Sequence, residues 1–218
     1  MYSGLTDNLN AIIEDVAQMK CIEPYVLCGG TALSLQLEHR KSEDLDFMQW
    51  RISKQEKPEV NWPVIKRELE EVLGSESKMD LLGFDQALFF IHGAKLSFYV
   101  SDKYSPGVNP ISLKGNIRIA DMDSIMAMKI EVMARRGKFR DYYDIYAMLK
   151  AGCSIKKGIL NAGVYSGHNL STKNMVSLLI SAPISPDPDF LKMDPIYNVE
   201  IDDIRKEIRA ALIRESVV

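Results

Sequence analysis

The apolar run YVLC (25–28) ends at a glycine pair, Gly29-Gly30, and the alternating segment DLDFMQ (44–49) follows so soon that only one short helix fits between them. The run reads as a short buried strand, and the glycines break it because glycine adopts backbone conformations that other residues avoid. TALSLQLEH (31–39) reads as the helix, with the Thr31 hydroxyl at its start to cap free N–H groups. DLDFMQ alternates carboxylate with apolar side chain, the two-residue period of a strand. Asp44 and Asp46 then point to one face while Leu45 and Phe47 pack on the other. This segment commits the chain to a fold that mixes strands with helices.

The rest of the chain divides unevenly. Leu9, Ile12, Ile13, Val16 and Met19 recur at helical spacing, which predicts a helix over 7–20. Asn61, with Pro63 behind it, opens a helix that Gly74 closes. Strands are predicted at 77–84, 86–92 and 95–100, with a Gly93-Ala94 hairpin between the last two, and again at 116–120. Residues 101–110 read as a loop. Asp121 opens a helix to Arg136, Gly137 ends it, a second helix covers 139–151, and the remainder is helical pattern broken by Gly, Asn and SPDPD (185–189). The expected class is α+β: a small mixed sheet flanked by helices over 1–120, and a helical region over 121–218 packed against it.

Hydrophobic residues make up 46% and charged residues 26%, the balance of a globule with a real core and not of a disordered tail. The 27 basic and 30 acidic residues leave a net charge of −3, so a nucleic acid has only local patches to bind. Lys129, Arg135, Arg136, Lys138 and Arg140, set against Glu131 alone, form one such patch or a solubilised helix end. Cys21, Cys28 and Cys153 lack metal-ligand spacing and read as buried, reduced thiols. No secretory leader and no run long enough to span a bilayer is legible, so the protein is expected to be soluble and cytoplasmic, with no membrane partner.

The glycine pair lets a backbone approach a ligand closely, and the N–H groups at the helix start suit a phosphate. Beside them, two carboxylates on one face of a strand supply the hard oxygen donors that a Mg²⁺-bound triphosphate needs. The common nucleotide motifs are absent. No GKS or GKT follows the glycines, and GGTALS lacks the third glycine of a dinucleotide fingerprint.

At this level of detail the chain resembles a known family. LCGGTALSLQLEHRKSEDLDF (27–47) is similar to the signature of the AbiEii/AbiGii-type nucleotidyltransferases, a branch of the polymerase-beta-like nucleotidyltransferase superfamily. Gly29, Gly30, Thr31, Ala32, Leu33, His39, Arg40, Ser42, Asp44, Leu45, Asp46 and Phe47 carry the match. AMKIEVMARRGKFRDYYDIYAML (127–149) resembles the family's downstream motif, with Lys129, Arg135 or Arg136, Arg140, Asp141 and Asp144 in its places. Beyond residue 149 nothing contributes. The resemblance implies transfer of a nucleoside monophosphate from an NTP to an acceptor, RNA and particularly tRNA, by a toxin of a toxin–antitoxin or phage-defence (abortive infection) pair with a cognate antitoxin. It implies Mg²⁺ or Mn²⁺ held by Asp44 and Asp46, catalytic roles for Lys129, Asp141 and Asp144, and nucleotide contacts from Gly29, Gly30, Thr31, Arg40, Ser42, Lys129 and Arg136. Arg40 and Ser42 either hold the DLD strand or touch phosphate.

One departure stands out. The superfamily carries a third carboxylate on a later strand as the base, and KLSFYV offers Ser97 there, which cannot act as one. Asp80 or Asp102 would have to supply it, or activity is weak. The alternatives are a catalytically degenerate NTP-binding or protein-interaction member of the same fold, and a metal-dependent nucleotide hydrolase. Lys129 and Arg136 fall inside the apolar arc of Met122, Ile125, Met126, Val132 and Met133, so Lys129→Met is expected to keep or raise stability. Periodicity alone puts Asp141 and Asp144 on a solvated face, opposite Tyr142, Ile145, Tyr146 and Leu149. His39 reads as a cationic residue at a helix end.

Overall fold

The computed structural model describes residues 1–51, 53, 55–56, 59–104 and 108–217, the side chains of 102–104 excepted. The first helix, α1 (Asp7–Val16), buries Leu9, Ile12, Ile13 and Val16 as its spacing requires. Strand β1 (Val26–Cys28) leads directly into α2 (Gly29–Leu37), and β2 (Asp44–Arg51) follows. α3 (Trp62–Leu73) ends at Gly74 in the left-handed conformation. Then come β3 (Lys78–Leu81), β4 (Gln86–Ile91), β5 (Ala94–Tyr104), β6 (Pro110–Lys114) and β7 (Ile117–Ala120). Among the described residues the α-helices that follow are α4 (Met122–Val132), α5 (Phe139–Lys150), α6 (Ile155–Tyr165), α7 (Thr172–Ser181) and α8 (Ile201–Arg214).

Among the described residues the strands form one seven-stranded sheet in the order β3-β4-β5-β2-β1-β7-β6. β2 is its hinge: it runs antiparallel to β1 and parallel to β5, with Asp44 opposite Lys95 and Asp46 opposite Ser97. Leu45, Phe47, Leu96 and Phe98 face the other way and are fully buried. That face carries an aromatic cluster in which the Phe98 ring stacks on Phe47 at 5.1 Å and meets Tyr25 at 5.2 Å and Phe89 at 5.8 Å, edge on. The hydrophobic core runs without a break across residue 120 into α4, α5, α6 and α8.

Several boundaries differ from the sequence expectation. Residues 110–114, assigned in part to a loop, form edge strand β6, where a proline at the first position costs no ladder bond. β5 runs on to Tyr104. The hairpin turn is His92-Gly93, with φ of 49° and 74°, a two-residue turn whose twist suits paired strands, and Ala94 already belongs to β5. Thr31 lies inside α2 and caps nothing, because the helix begins at Gly29. α4 stops at Val132, after which Ala134 and Arg135 bond three residues back and tighten the turn, leaving Arg136 exposed and off the buried arc. Asp121 does cap α4, accepting from the Ser124 N–H at 2.8 Å. Of the three thiols, only Cys28 is buried; Cys21 and Cys153 are partly exposed, and none is disulfide-bonded.

Because Phe98 joins β2, β4 and the segment before β1 beneath the open sheet face, Phe98→Ala is expected to cost about 3–5 kcal/mol. Urea unfolding followed by circular dichroism checks this. A midpoint close to wild type would show that the aromatic cluster does not hold the sheet.

Candidate active site

The open face of the sheet is the floor of a cavity of about 540 Å³. Along β2 it presents Asp44, Asp46 and Met48, along β5 Lys95, Ser97 and Tyr99, and at the end of β1 Cys28. Gly29, Gly30, Arg40 and Ser42 line it too, as do Lys129, Arg136 and Lys138. The glycine pair, the acidic strand and the downstream basic residues, far apart in sequence, therefore converge on one volume.

The two carboxylates are half-buried and side by side. Lys95 Nζ donates to Asp44 Oδ2 at 2.6 Å, and Ser97 Oγ donates to Asp46 Oδ1 at 2.5 Å. Gly29 has a φ of +70°, which favours glycine, and a Cβ there would press on Asp46 Oδ2 at 3.1 Å. Cys28, the residue before α2, supplies no side-chain cap, so the first N–H groups of the helix are left for a ligand at the cavity wall. Two carboxylates fit a Mg²⁺ or Mn²⁺ ion that completes its shell with water and substrate phosphate oxygens, since Mg²⁺ is commonly held by one or two carboxylates and phosphates. Among the described residues no cluster of three or more His, Cys, Asp or Glu offers a fuller cage.

Ser97, where the resemblance expects a third carboxylate, lies on the same sheet face as Asp46 and within hydrogen-bond reach of it. Asp80 does not replace it. It is on β3 opposite Leu88, which is opposite Ser97, and three strands from Asp46 is roughly 14 Å at the usual strand spacing. The Asp102 side chain lies outside the described residues.

Other residues singled out in the sequence turn inward. The Thr31 hydroxyl shares a hydrogen bond with Ser42 Oγ at 2.7 Å and donates to the Asp44 carbonyl, fastening α2 to the start of β2. A Cβ on Gly30 would collide with the Arg40 guanidinium, so its lack of a side chain serves packing as well as ligand approach. Arg40 is 3% exposed and grips Asp144, with Nε on Oδ1 at 2.8 Å and Nη2 on Oδ2 at 3.0 Å. His39 Nε2 lies 2.8 Å from the same Oδ1, so this histidine is a buried partner and not an exposed cation at a helix end.

Asp144 is the centre of a charged cluster. Lys129 Nζ reaches Asp144 Oδ2 at 2.6 Å and Asp141 Oδ1 at 2.9 Å, and both carboxylates are fully buried. The solvated face expected for Asp141 and Asp144 is thus a buried one, because each has a cation that periodicity cannot register. Burial by itself would raise the Asp144 carboxyl, but the charges of Arg40 and Lys129 and hydrogen bonds from His39 and Arg40 hold it well below the usual carboxylate range. Burial would likewise lower Lys129, and Asp144 and Asp141 reverse that and raise it. The basic patch is correspondingly smaller than its sequence suggests. Arg140 is clamped by Asp187 through bonds of 2.7 and 2.6 Å, and Arg135 pairs with Glu131 at 2.6 Å. Arg136 keeps only a 3.9 Å approach to Asp141 and is half-exposed.

Lys129→Met strips two buried carboxylates of their shared cation, so it is expected to melt well below wild type, against the tolerance expected from the helical wheel. Asp144→Asn leaves Arg40 buried without its carboxylate partner and Lys129 with Asp141 alone, and breaking such a cluster costs about 3–5 kcal/mol. Because the folded Asp144 carboxyl sits below its unfolded value of about 3.9, its contribution is complete above about pH 5 and fades as the pH falls through the folded value. Melting curves at neutral and acid pH check this: the gap between wild type and Asp144→Asn narrows in acid.

Comparison with known proteins accords with this geometry. The family model for the nucleotidyl transferase AbiEii toxin of type IV toxin–antitoxin systems matches residues 12–212, reaching well past the second motif into the C-terminal helices. The uncharacterized protein aq_aa25 of Aquifex aeolicus (strain VF5) is 32% identical over 149 residues, covering 66% of this chain and 68% of that one. JHP933 from Helicobacter pylori has the same fold at a TM-score of 0.56 and 19% identity, over 97% of this chain and 94% of that one. MenT4, the nucleotidyltransferase toxin Rv2826c of Mycobacterium tuberculosis H37Rv, aligns at a TM-score of 0.56 and 16% identity, over 94% and 84% of the two chains. With both motifs converging on one cavity and a family match across nearly the whole sequence, the chain belongs to the AbiEii family of nucleotidyl transferase toxins.

Proposed function

We propose that this chain transfers a nucleoside monophosphate from a Mg²⁺-bound NTP to a hydroxyl of RNA, tRNA in particular, in the cytoplasm, and that a cognate antitoxin restrains it. The observation that carries this reading is that Asp44 and Asp46, on one strand face beside the N-terminus of α2, line the same cavity as Lys129. Asp44 and Asp46 would hold the metal, which when bound withdraws charge from the phosphates. The N–H groups at Gly29 and Gly30 would cradle phosphate oxygens. The acceptor oxygen attacks the α-phosphorus, the bond to the bridging oxygen breaks, and pyrophosphate leaves with that electron pair. The acceptor proton passes to solvent, since Ser97 stands where a carboxylate base would be.

Lys129, 7% exposed but on the cavity wall, would turn its free side toward the charge that develops on the leaving pyrophosphate. Asp141 and Asp144 act through it and through Arg40, as positioning residues, because their buried carboxylates are bonded to those cations. Arg136 and Lys138 are the basic side chains left at the rim for RNA phosphates. A degenerate, non-catalytic member of the family would bind NTP at the same carboxylates and release no pyrophosphate.

The test is transfer of label from each α-labelled NTP to total RNA with Mg²⁺. Asp44→Ala and Asp46→Ala are expected to abolish labelling, a loss of at least about a hundredfold for a removed metal carboxylate, with melting temperatures near wild type. Wild-type labelling by either variant would move the metal site elsewhere, and NTP binding without labelling would establish the degenerate reading. Ser97→Asp adds a carboxylate next to Asp46. It is expected to melt lower than wild type without metal and to gain more from added Mg²⁺, as a thermal-shift titration would show.

A further inference from the structure

We infer that Gln86 reads the base of the bound nucleotide, an assignment that rests on the nucleotidyltransferase reading above and extends it to specificity. The cavity floor is built in cross-strand rows. Asp44 and Lys95 make the first and Asp46 and Ser97 the second; Met48, Tyr99 and Gln86 make the third, with Gln86 directly opposite Tyr99 on β4. The third row lies about 6.6 Å beyond the second, two residues along the strand. It is the row farther from the glycine turn, because β1 runs antiparallel to β2 and brings Cys28 opposite Asp46, with Gly29 next to that carboxylate.

The rows differ in chemistry as well as position. The first two carry charge and hydroxyl, which suit metal and phosphate. The third carries a thioether, an aromatic ring and an amide, and none of the three is charged. Such a surface suits a flat, weakly polar heteroaromatic ring: Met48 and Tyr99 offer contact area, and the amide offers one donor edge and one acceptor edge in a single plane. Of the β4 side chains on this face, Gln86 alone lines the cavity, while Leu88 and Phe90 do not reach it. The Gln86 side chain is half-buried and makes no hydrogen bond among the described residues, so its amide is available to a ligand.

An amide pairs with a base edge that presents a donor beside an acceptor, and one such two-bond contact discriminates by about tenfold or more. A carboxylate at this place accepts only, and so favours the guanine edge, whose N1–H and N2–H₂ both donate. The experiment measures equilibrium binding of ATP, CTP, GTP and UTP with Mg²⁺ and no RNA, to wild type, Gln86→Leu and Gln86→Glu, with inorganic triphosphate as the control ligand.

Wild type is expected to prefer one or more bases about tenfold. Gln86→Leu should compress that preference to within about twofold, leaving triphosphate binding unchanged, and Gln86→Glu should shift it toward GTP. Equal affinity of wild type for all four, or an unaltered preference in Gln86→Leu, overturns the assignment to Gln86 while leaving the nucleotidyltransferase reading intact. Failure of wild type to bind any NTP overturns both. Altered RNA labelling with unaltered NTP binding would assign Gln86 to the acceptor and likewise overturn the inference.

Discussion

A single carboxylate holds the halves of this molecule in register. Asp144 rises from α5 into a fully buried site, and its two oxygens are shared by Arg40 and His39 from the loop after α2 and by Lys129 from α4. Three segments from both sides of residue 120 thus meet on one group. Charges in such a place stay ionised only because each has a partner at hydrogen-bond distance, and the geometry tolerates little displacement. Arg40 in turn packs over Gly30, and Thr31 ties α2 to the first residue of β2. The chain of contacts runs from the buried cluster to the acidic strand without a gap, so the cavity inherits its shape from an ion cluster of which Arg40, Lys129 and Asp141 line it.

This explains what could be seen in the sequence and what could not. The strand–glycine–helix–strand unit was legible because local rules govern it: apolar run, Gly breaker, period-two alternation. The placement of Asp44 and Asp46 on one face followed from the same alternation, whereas Ser97 was singled out only by the family resemblance. Asp141 and Asp144 were misplaced by periodicity because a helical wheel assigns a carboxylate to water by default. Only a cation from another element reverses that, and His39 and Arg40 lie more than a hundred positions upstream of Asp144. Asp187, which occupies Arg140, sits in a stretch that reads as mere turn chemistry, SPDPD. Edge strand β6 was obscured by the proline that begins it. Long-range pairing is what single-sequence pattern leaves out, and each of these differences is a case of it.

Lys95 and Ser97 show the opposite effect, in which residues of ordinary appearance gain meaning from register. On β5 they alternate with core residues Leu96 and Phe98, as in any half-buried strand. Parallel pairing with β2 sets one against each acidic side chain, so the carboxylate pair enters the cavity partly neutralised. Without those partners, two like charges two residues apart on one strand face would repel each other across a half-dry surface.

The parallel pairing of β2 with β5 has a consequence for when the molecule becomes active. Asp44 and its counter-ion are 51 positions apart, and a parallel crossover closes only after the whole intervening chain, α3 and the β3–β4 hairpin included, has been laid down. The basic wall comes later still, from helices that follow the last strand. A nascent chain emerging from the ribosome therefore carries the acidic strand long before it has the cations that complete the cavity. Any length of chain that ends between β2 and α4 thus holds the recognisable motif without the Lys129, Arg136 and Lys138 side chains that line the cavity beside it.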